Sequence, residues 1–357
     1  MSDANMRTRW SRSLLGSFLV TIALGTAVIF GAPVSGAAAN GVSSNEVNVY
    51  SLRQPFLVKP LFDTFTRETG IKVNVVFAKK GLVQRLKSEG ANSPADLLFT
   101  VDVGRLQDAY DAGVTQAVSS SVLRAAIPAF YRHPEGHWYG MTTRVRILYV
   151  SKERVKPDEI KRYEDLANPK WHGRVCMRSG KNSYNLALIA SMIAHHGEVE
   201  AEKWLAGVKA NLARRPQGND RAQVKAIHAG ECDVAIGNHY YYGKMLEKRV
   251  QRAWAESVYL VFPNQADRGT HVNISGVALT KSAPNKANAI QLIEFLAGPG
   301  QTLYAEQNYE YPVKPGVPWL PQVKKWGVFK ADDLNISALA ELRAAAARMV
   351  DRVGFDS

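Results

Sequence analysis

Three consecutive tyrosines, within Asn238-His239-Tyr240-Tyr241-Tyr242-Gly243, are the residues of this sequence best suited to chemistry. They follow an apolar run, residues 232–236, that reads as a strand. Successive residues there point in different directions, so one or two of the phenols must face solvent or a cleft. A free phenol ionises near pKa ~10, yet a trivalent cation on its oxygen removes that proton at neutral pH. Hard oxygen donors suit hard cations, and Fe3+ is the trivalent ion a cell has to import. Taken alone, the triplet is also readable as a carbohydrate platform or as aromatic packing, and packing is the commoner case.

Other chemistry-bearing residues carry less. His195 and His196 are neighbours on a predicted helix, do not share a face, and read as an exposed pair rather than a metal site. His239 flanks the tyrosines without a pattern that demands binding, and a structural hydrogen bond is expected of His271. There is no P-loop, Gly-x-Gly-x-x-Gly, His-Glu-x-x-His or Gly-x-Ser-x-Gly motif, so nothing supplies a nucleophile–base pair and no enzyme is expected. Asn273-Ile274-Ser275 matches a glycosylation triplet but falls in a predicted strand. Cys176 and Cys232 lack zinc spacing. Each lies in a strand-like run, and a disulfide or two separate buried thiols are both compatible with the sequence.

The elements that must position these residues alternate between strand and helix. Residues 47–50, 71–77 and 95–100 read as strands, separated by helices at 57–68 and 82–88 that end at Gly70 and Gly90. Asp102 can cap a helix running to Ala112. The pattern resumes with strands at 144–150, 174–177, 232–236 and 272–279, and with helices at 184–195, from about Tyr242, and at 287–296. Such a series predicts an α/β fold with helices on the faces of parallel strands. Two such units with few true linkers suggest two lobes that exchange strands at a hinge. Ligands of open α/β sheets sit beyond the carboxyl ends of the strands, where residues 179–184 and 238–242 fall.

The chain has 357 residues, 46% of them hydrophobic and 22% charged, which suits one or two well-buried domains and excludes a disordered chain. The net charge of +13 comes from scattered basic residues, not runs interleaved with aromatics. It favours anions in general and no nucleic acid. Arg7, Arg9 and Arg12 precede an apolar run at 14–33 and the small residues Gly36, Ala37, Ala38 and Ala39. That order is a secretory signal peptide, residues 1–39, or else an uncleaved anchor. The mature protein is expected in the periplasm.

Beyond these readings, the sequence resembles the iron(III)-binding proteins of ferric ABC importers, within the class of periplasmic solute-binding proteins. The matching blocks are Val49-Tyr50-Ser51-x-Arg53, Ser93-Pro94-Ala95-Asp96, Tyr163-Glu164-Asp165-Leu166, Asn168-Pro169-Lys170-Trp171-x-Gly173 and Arg178-Ser179-Gly180-x-x-x-Tyr184-Asn185. Then come Gly218-Asn219-Asp220-Arg221, Gly237-Asn238-x-Tyr240-Tyr241-x-Gly243, Phe262-Pro263-Asn264-Gln265 and Arg268-Gly269-Thr270-His271. They run in order over nearly all of residues 46–357. The resemblance implies a two-lobed periplasmic binding protein fold with a hinge and an interlobe cleft, one lobe at 46–142 and 269–316, the other at 143–268 and 317–357. It also implies a monomer that docks on a membrane permease with a cytoplasmic ATPase.

Carried onto this sequence, the resemblance makes Tyr240, Tyr241 and Tyr184 the ligands of Fe3+, with Tyr242 and Asn238 supporting them. Where many relatives have a His-Tyr pair after the arginine, this chain has Gln54 and Pro55, neither a strong ligand. Three protein oxygens leave an ion that prefers six ligands to be completed by water or a bidentate anion such as carbonate or bicarbonate. Arg53 and Arg144 are expected to grip that anion through paired hydrogen bonds, with Arg178 a weaker candidate. Ser179 and Gly180 are expected to offer it a helix N-terminus. The same scaffold carrying another metal or an oxyanion is the alternative.

Overall fold

The computed structural model describes residues 45–357; the signal-peptide segment lies outside the described residues. Among the described residues, nine strands form the sheet: β1 (Glu46–Ser51), β2 (Lys72–Phe77), β3 (Leu97–Val101), β4 (Tyr139–Ser151), β5 (Val175–Cys176), β6 (Val234–Asn238), β7 (Val258–Val261), β8 (Val272–Leu279) and β9 (Tyr311–Pro312). Their order is β2-β1-β3-β8-β4-β6-β5, with β7 and β9 also paired to β4. β1 runs parallel to β2 and β3, and β5 parallel to β6, while β8 is antiparallel to both β3 and β4. Among the described residues no helix is long and apolar enough to cross a membrane.

Alternation along the strands explains why both faces are covered. Val47, Val49, Leu97 and Phe99 join Phe62, Phe65, Leu292 and Leu296 in one core, while Tyr50 and Leu98 point into another. Further along, Leu148, Val150, Val234 and Ile236 pack with the helix Ser183–Ala210, and Ile147, Tyr149 and Ala235 pack on the opposite side. A strand buried on two faces is apolar at nearly every position, which is why these runs stand out in the sequence.

β4 is longer than the expected 144–150. Its first half pairs with β8 from Tyr139 to Val145, and its second half pairs with β6 from Arg146 to Val150. Arg144 and Arg146 sit at this change of partner. The extension carries Thr142 and Thr143 inside the protein, so an apolar pattern could not reveal it. Two helices also differ from expectation. The helix at 184–195 is Ser183–Ala210, broken at Gly197 (φ 76°), and the one expected from Tyr242 begins two residues earlier, at Tyr240.

Candidate metal centre

The tyrosine triplet turns directly off the end of β6 into the short helix Tyr240–Leu246. His239 fixes that junction. Its Nδ1 accepts from the Val145 N–H at 3.1 Å, its Nε2 donates to the Tyr309 carbonyl at 2.7 Å, and its ring stacks on Tyr311 at 4.6 Å. Both ring nitrogens are therefore used, and burial pulls the imidazole pKa down to about 4. His239 is a neutral strut between β4, β6 and β9, not a ligand.

Tyr184 comes from the first turn of the helix Ser183–Ala210, where the Asn182 side chain accepts from the Tyr184 N–H at 3.1 Å. Tyr184, Tyr240 and Tyr241 meet at one cavity of about 350 Å3, bounded also by Arg53, Arg221 and Glu310. The rings of Tyr240 and Tyr241 lie 4.3 Å apart. Burial, then the neighbouring phenol of Tyr184, push the pKa of both well above the usual tyrosine range. Among the described residues no group of three or more His, Cys, Asp or Glu is arranged to hold a metal. The convergent oxygen donors here are phenols.

Positive charge surrounds them. The guanidinium carbons of Arg144, Arg146 and Arg178 lie 5.4, 5.8 and 5.5 Å from the Tyr184 ring centre. Arg146 and Arg178 share the carboxylate of Asp220, at 2.7 and 2.9 Å. Burial opposes charge on Asp220, yet these two arginines hold its pKa below the ordinary carboxylate value. Arg53 pairs with Glu310 at 2.9 Å and donates to the Ser275 hydroxyl at 2.6 Å. Arg144 is only 2% exposed and donates from Nη1 to Ser275 at 2.7 Å. Its Nε and Nη2, the edge that matches a planar anion, have no partner among the described residues. Arg146 and Arg178 thus share one carboxylate and Arg53 has its own, while Arg144 has none bonded to it.

The remaining expected residues fall in different places. Asn238 accepts from Arg146 at 3.2 Å and presents an unpartnered Nδ2 to a small void shared with Arg144, Tyr184, His271 and Asn273. Tyr242 turns away from the cavity and packs edge-on against Trp326 at 5.3 Å. Gln54 lines the cavity; Pro55 opens the helix Pro55–Thr69. The expectation for Ser179 and Gly180 is corrected. The Ser179 hydroxyl and the Gly180 N–H both donate to the Asp356 carboxylate, at 2.6 and 2.7 Å, so a side chain of the protein itself takes the donors meant for an external anion. His195 and His196 do reach separate partners, Asp332 and Glu164, rather than a common ion. Cys176 and Cys232 are joined, which ties the end of β5 to the approach to β6.

Three residues of this buried charge network carried no assigned role in the sequence. Asp220 lay in a quoted block but had no assigned role, and Ser275 lay in a triplet set aside as chance. Glu310 had no local signal, since its partner Arg53 is 257 positions away.

Residues 92–333 match the model of the bacterial extracellular solute-binding protein family. The chain is 46% identical over 314 residues to iron uptake protein A1 of Synechocystis, covering 87% of each. Its fold matches the ferric iron-binding protein A of Mannheimia haemolytica in an open conformation, with a TM-score of 0.85, 52% identity, and coverage of 88% of this chain and 99% of that one. It matches equally a Trichodesmium protein solved with iron and citrate ligands, with a TM-score of 0.84, 46% identity, and coverage of 87% and 99%. The fold is therefore the two-lobed one of periplasmic ferric-binding proteins, and the chain belongs to the bacterial extracellular solute-binding protein family.

Proposed function

We propose that this protein is the periplasmic substrate-binding component of a ferric iron ABC importer. It takes Fe3+ as cargo on the phenolate oxygens of Tyr184, Tyr240 and Tyr241 and delivers it, as a monomer, to a membrane permease driven by a cytoplasmic ATPase. The lobes are assigned as 46–142 with 269–316 and 143–268 with 317–357, and the N-terminal segment as the export signal. The observation that carries the reading is the convergence of three tyrosines on one cavity beside an arginine whose anion-binding edge is unpaired.

Charge supports it. Three phenolates cancel the charge of Fe3+, which leaves Arg144, with no carboxylate bonded to it, for an anion co-ligand. Carbonate or bicarbonate fits the planar Nε/Nη2 edge of Arg144. The cavity of about 350 Å3 also has room for a polycarboxylate, and citrate accompanies iron in the Trichodesmium relative. Gln54 and Pro55 in place of a His-Tyr pair make the anion more important here, since they add no strong ligand.

The test is a visible absorption titration of the mature protein with ferric citrate, with and without bicarbonate. A phenolate-to-iron charge-transfer band saturating at one iron per chain is expected, lost in Tyr240→Phe and Tyr241→Phe and kept in Tyr242→Phe. If no band forms and iron stays in the citrate pool, the ferric phenolate reading is wrong, and another metal or an oxyanion on the same scaffold replaces it.

A further inference from the structure

Below the cavity lies a closed polar network around Glu310, whose side chain is 1% exposed. Oε1 accepts from Arg53 Nη2 at 2.9 Å; Oε2 accepts from the Ser275 hydroxyl at 3.0 Å and from the Thr142 hydroxyl. Ser275 is saturated: it accepts from Arg53 Nη1 at 2.6 Å and Arg144 Nη1 at 2.7 Å, and gives its single proton to Glu310. Two like-charged guanidinium groups converge on one neutral hydroxyl. A buried arrangement of that kind needs a negative partner, and Glu310 is the carboxylate bonded to it. Burial works against ionisation of Glu310, but Arg53 and Arg144 outweigh it and its pKa is lowered, so the group is an anion at neutral pH.

We infer that Glu310 is the positioning carboxylate of the anion subsite: through Ser275 it sets the direction of the Arg144 edge that grips the co-ligand. The inference rests on the anion reading given above. The chain of contacts is specific. Among the described residues, the one hydrogen-bond partner of the Arg144 side chain is Ser275, at Nη1. Arg144, tethered at Nη1, lines the small void it shares with Tyr184 and with Asn238, whose Nδ2 is also unpartnered. Ser275 lies opposite Thr142 in the β4–β8 ladder, and Thr142 opposite Pro312 of β9. The network therefore stands on three paired strands and is rigid before any ligand arrives, so the ordering of Arg144 is not charged against anion affinity. Glu310 acts on Arg144 through Ser275.

Two variants test this. Glu310→Gln keeps the shape and removes the charge. Ser275→Ala removes the tether of Arg144 and leaves the Arg53–Glu310 pair in place. At a fixed ferric iron concentration, each is expected to raise the bicarbonate concentration that half-saturates the charge-transfer band by about tenfold or more, the range typical when a partner of a metal-site group is lost. In the iron-free protein, bicarbonate should raise the melting temperature of the unaltered chain and fail to do so in the variants. Half-saturation and melting shifts equal to those of the unaltered protein would overturn the positioning role, even where the variants melt lower overall. If Glu310→Gln does not fold, Ser275→Ala decides alone. A failure of the unaltered protein to respond to bicarbonate would instead overturn the anion reading itself, and the positioning role with it.

Discussion

Tyr240 and Tyr241 are neutral phenols in the iron-free protein, because burial and the Tyr184 phenol keep their pKa values well above the usual range. On the proposed phenolate ligation, iron is held only after those protons leave, so binding and proton release are one event. The sign follows directly: affinity rises with pH and falls in acid, where protons compete for the oxygens. An unbuffered titration of the protein with a weak ferric chelate should release protons in excess of the chelate blank, and no more than the blank in Tyr240→Phe and Tyr241→Phe. Release equal to the blank would mean that phenolates do not ligate. The tyrosines were legible because an ordered series of blocks marks them. The carboxylates that balance the arginines were not. Glu310 meets Arg53 across 257 positions, and a contact of that range has no trace in local spacing.

At the scale of elements, strands and helices were readable where burial is apolar and unreadable where it is polar. The expected strand over 272–279 is β8 itself, while the first five residues of β4 were missed because the fold buries Thr142 and Thr143 at the crossover. Gly243 shows what an element needs in order to deliver its tyrosines. A Cβ there would lie 2.7 Å from the Tyr309 ring and 2.8 Å from Trp326. The helix Tyr240–Leu246 therefore sits as close to that wall as a glycine allows, and its position sets where the phenols project. Gly243→Ala is expected to cost about 1 to 3 kcal/mol of stability, the usual penalty of overpacking. It should also weaken iron binding by more than Tyr242→Phe does, since the whole first turn must shift. Urea melts alongside the iron titration would check it, and unchanged iron affinity would show that the helix accommodates the methyl without moving the tyrosines. The disulfide adds a second restraint on the same strand. It closes a loop of 56 residues ending just before β6, and constraining a loop of that size stabilises by about 4 kcal/mol in the chain-entropy account.

For the whole molecule, the crossing of β4 and β8 collects buried charge at the junction from which the cavity opens, and histidines buried beside that charge make the fold acid-sensitive. His271 is the clearest case. Burial, then the guanidinium groups of Arg146 and Arg268, push its pKa down to about 3, against about 6.5 in an unfolded chain. Between those values the unfolded chain holds a proton that the folded one refuses, so stability falls as pH drops. The contribution is fully present above about pH 6.5, declines through the acid range, and is gone below about 3. Its full size is about 5 kcal/mol, of which about 2 kcal/mol is already lost at pH 5. Glu164 acts in the same direction at lower pH. Burial opposes its ionisation, but the Asn264 amide and Arg268 hold its pKa down to about 2, so the stability it lends begins to fall only below the ordinary Glu value. The pH dependence between 7.5 and 5 therefore belongs to the histidines rather than to the carboxylates. His271→Asn, which cannot take a charge, should reduce the stability lost across that interval by about 2 kcal/mol in urea unfolding of the iron-free protein, even if it lowers stability at pH 7.5. Parallel curves for the variant and the unaltered chain would show that His271 finds a way to accept its proton in the fold, and would move the acid sensitivity to His239. Bound iron adds stability by mass action wherever it stays bound. Acid removes the cargo and the histidine contribution together, so the iron-loaded protein should lose stability between pH 7.5 and 5 more steeply than the iron-free one.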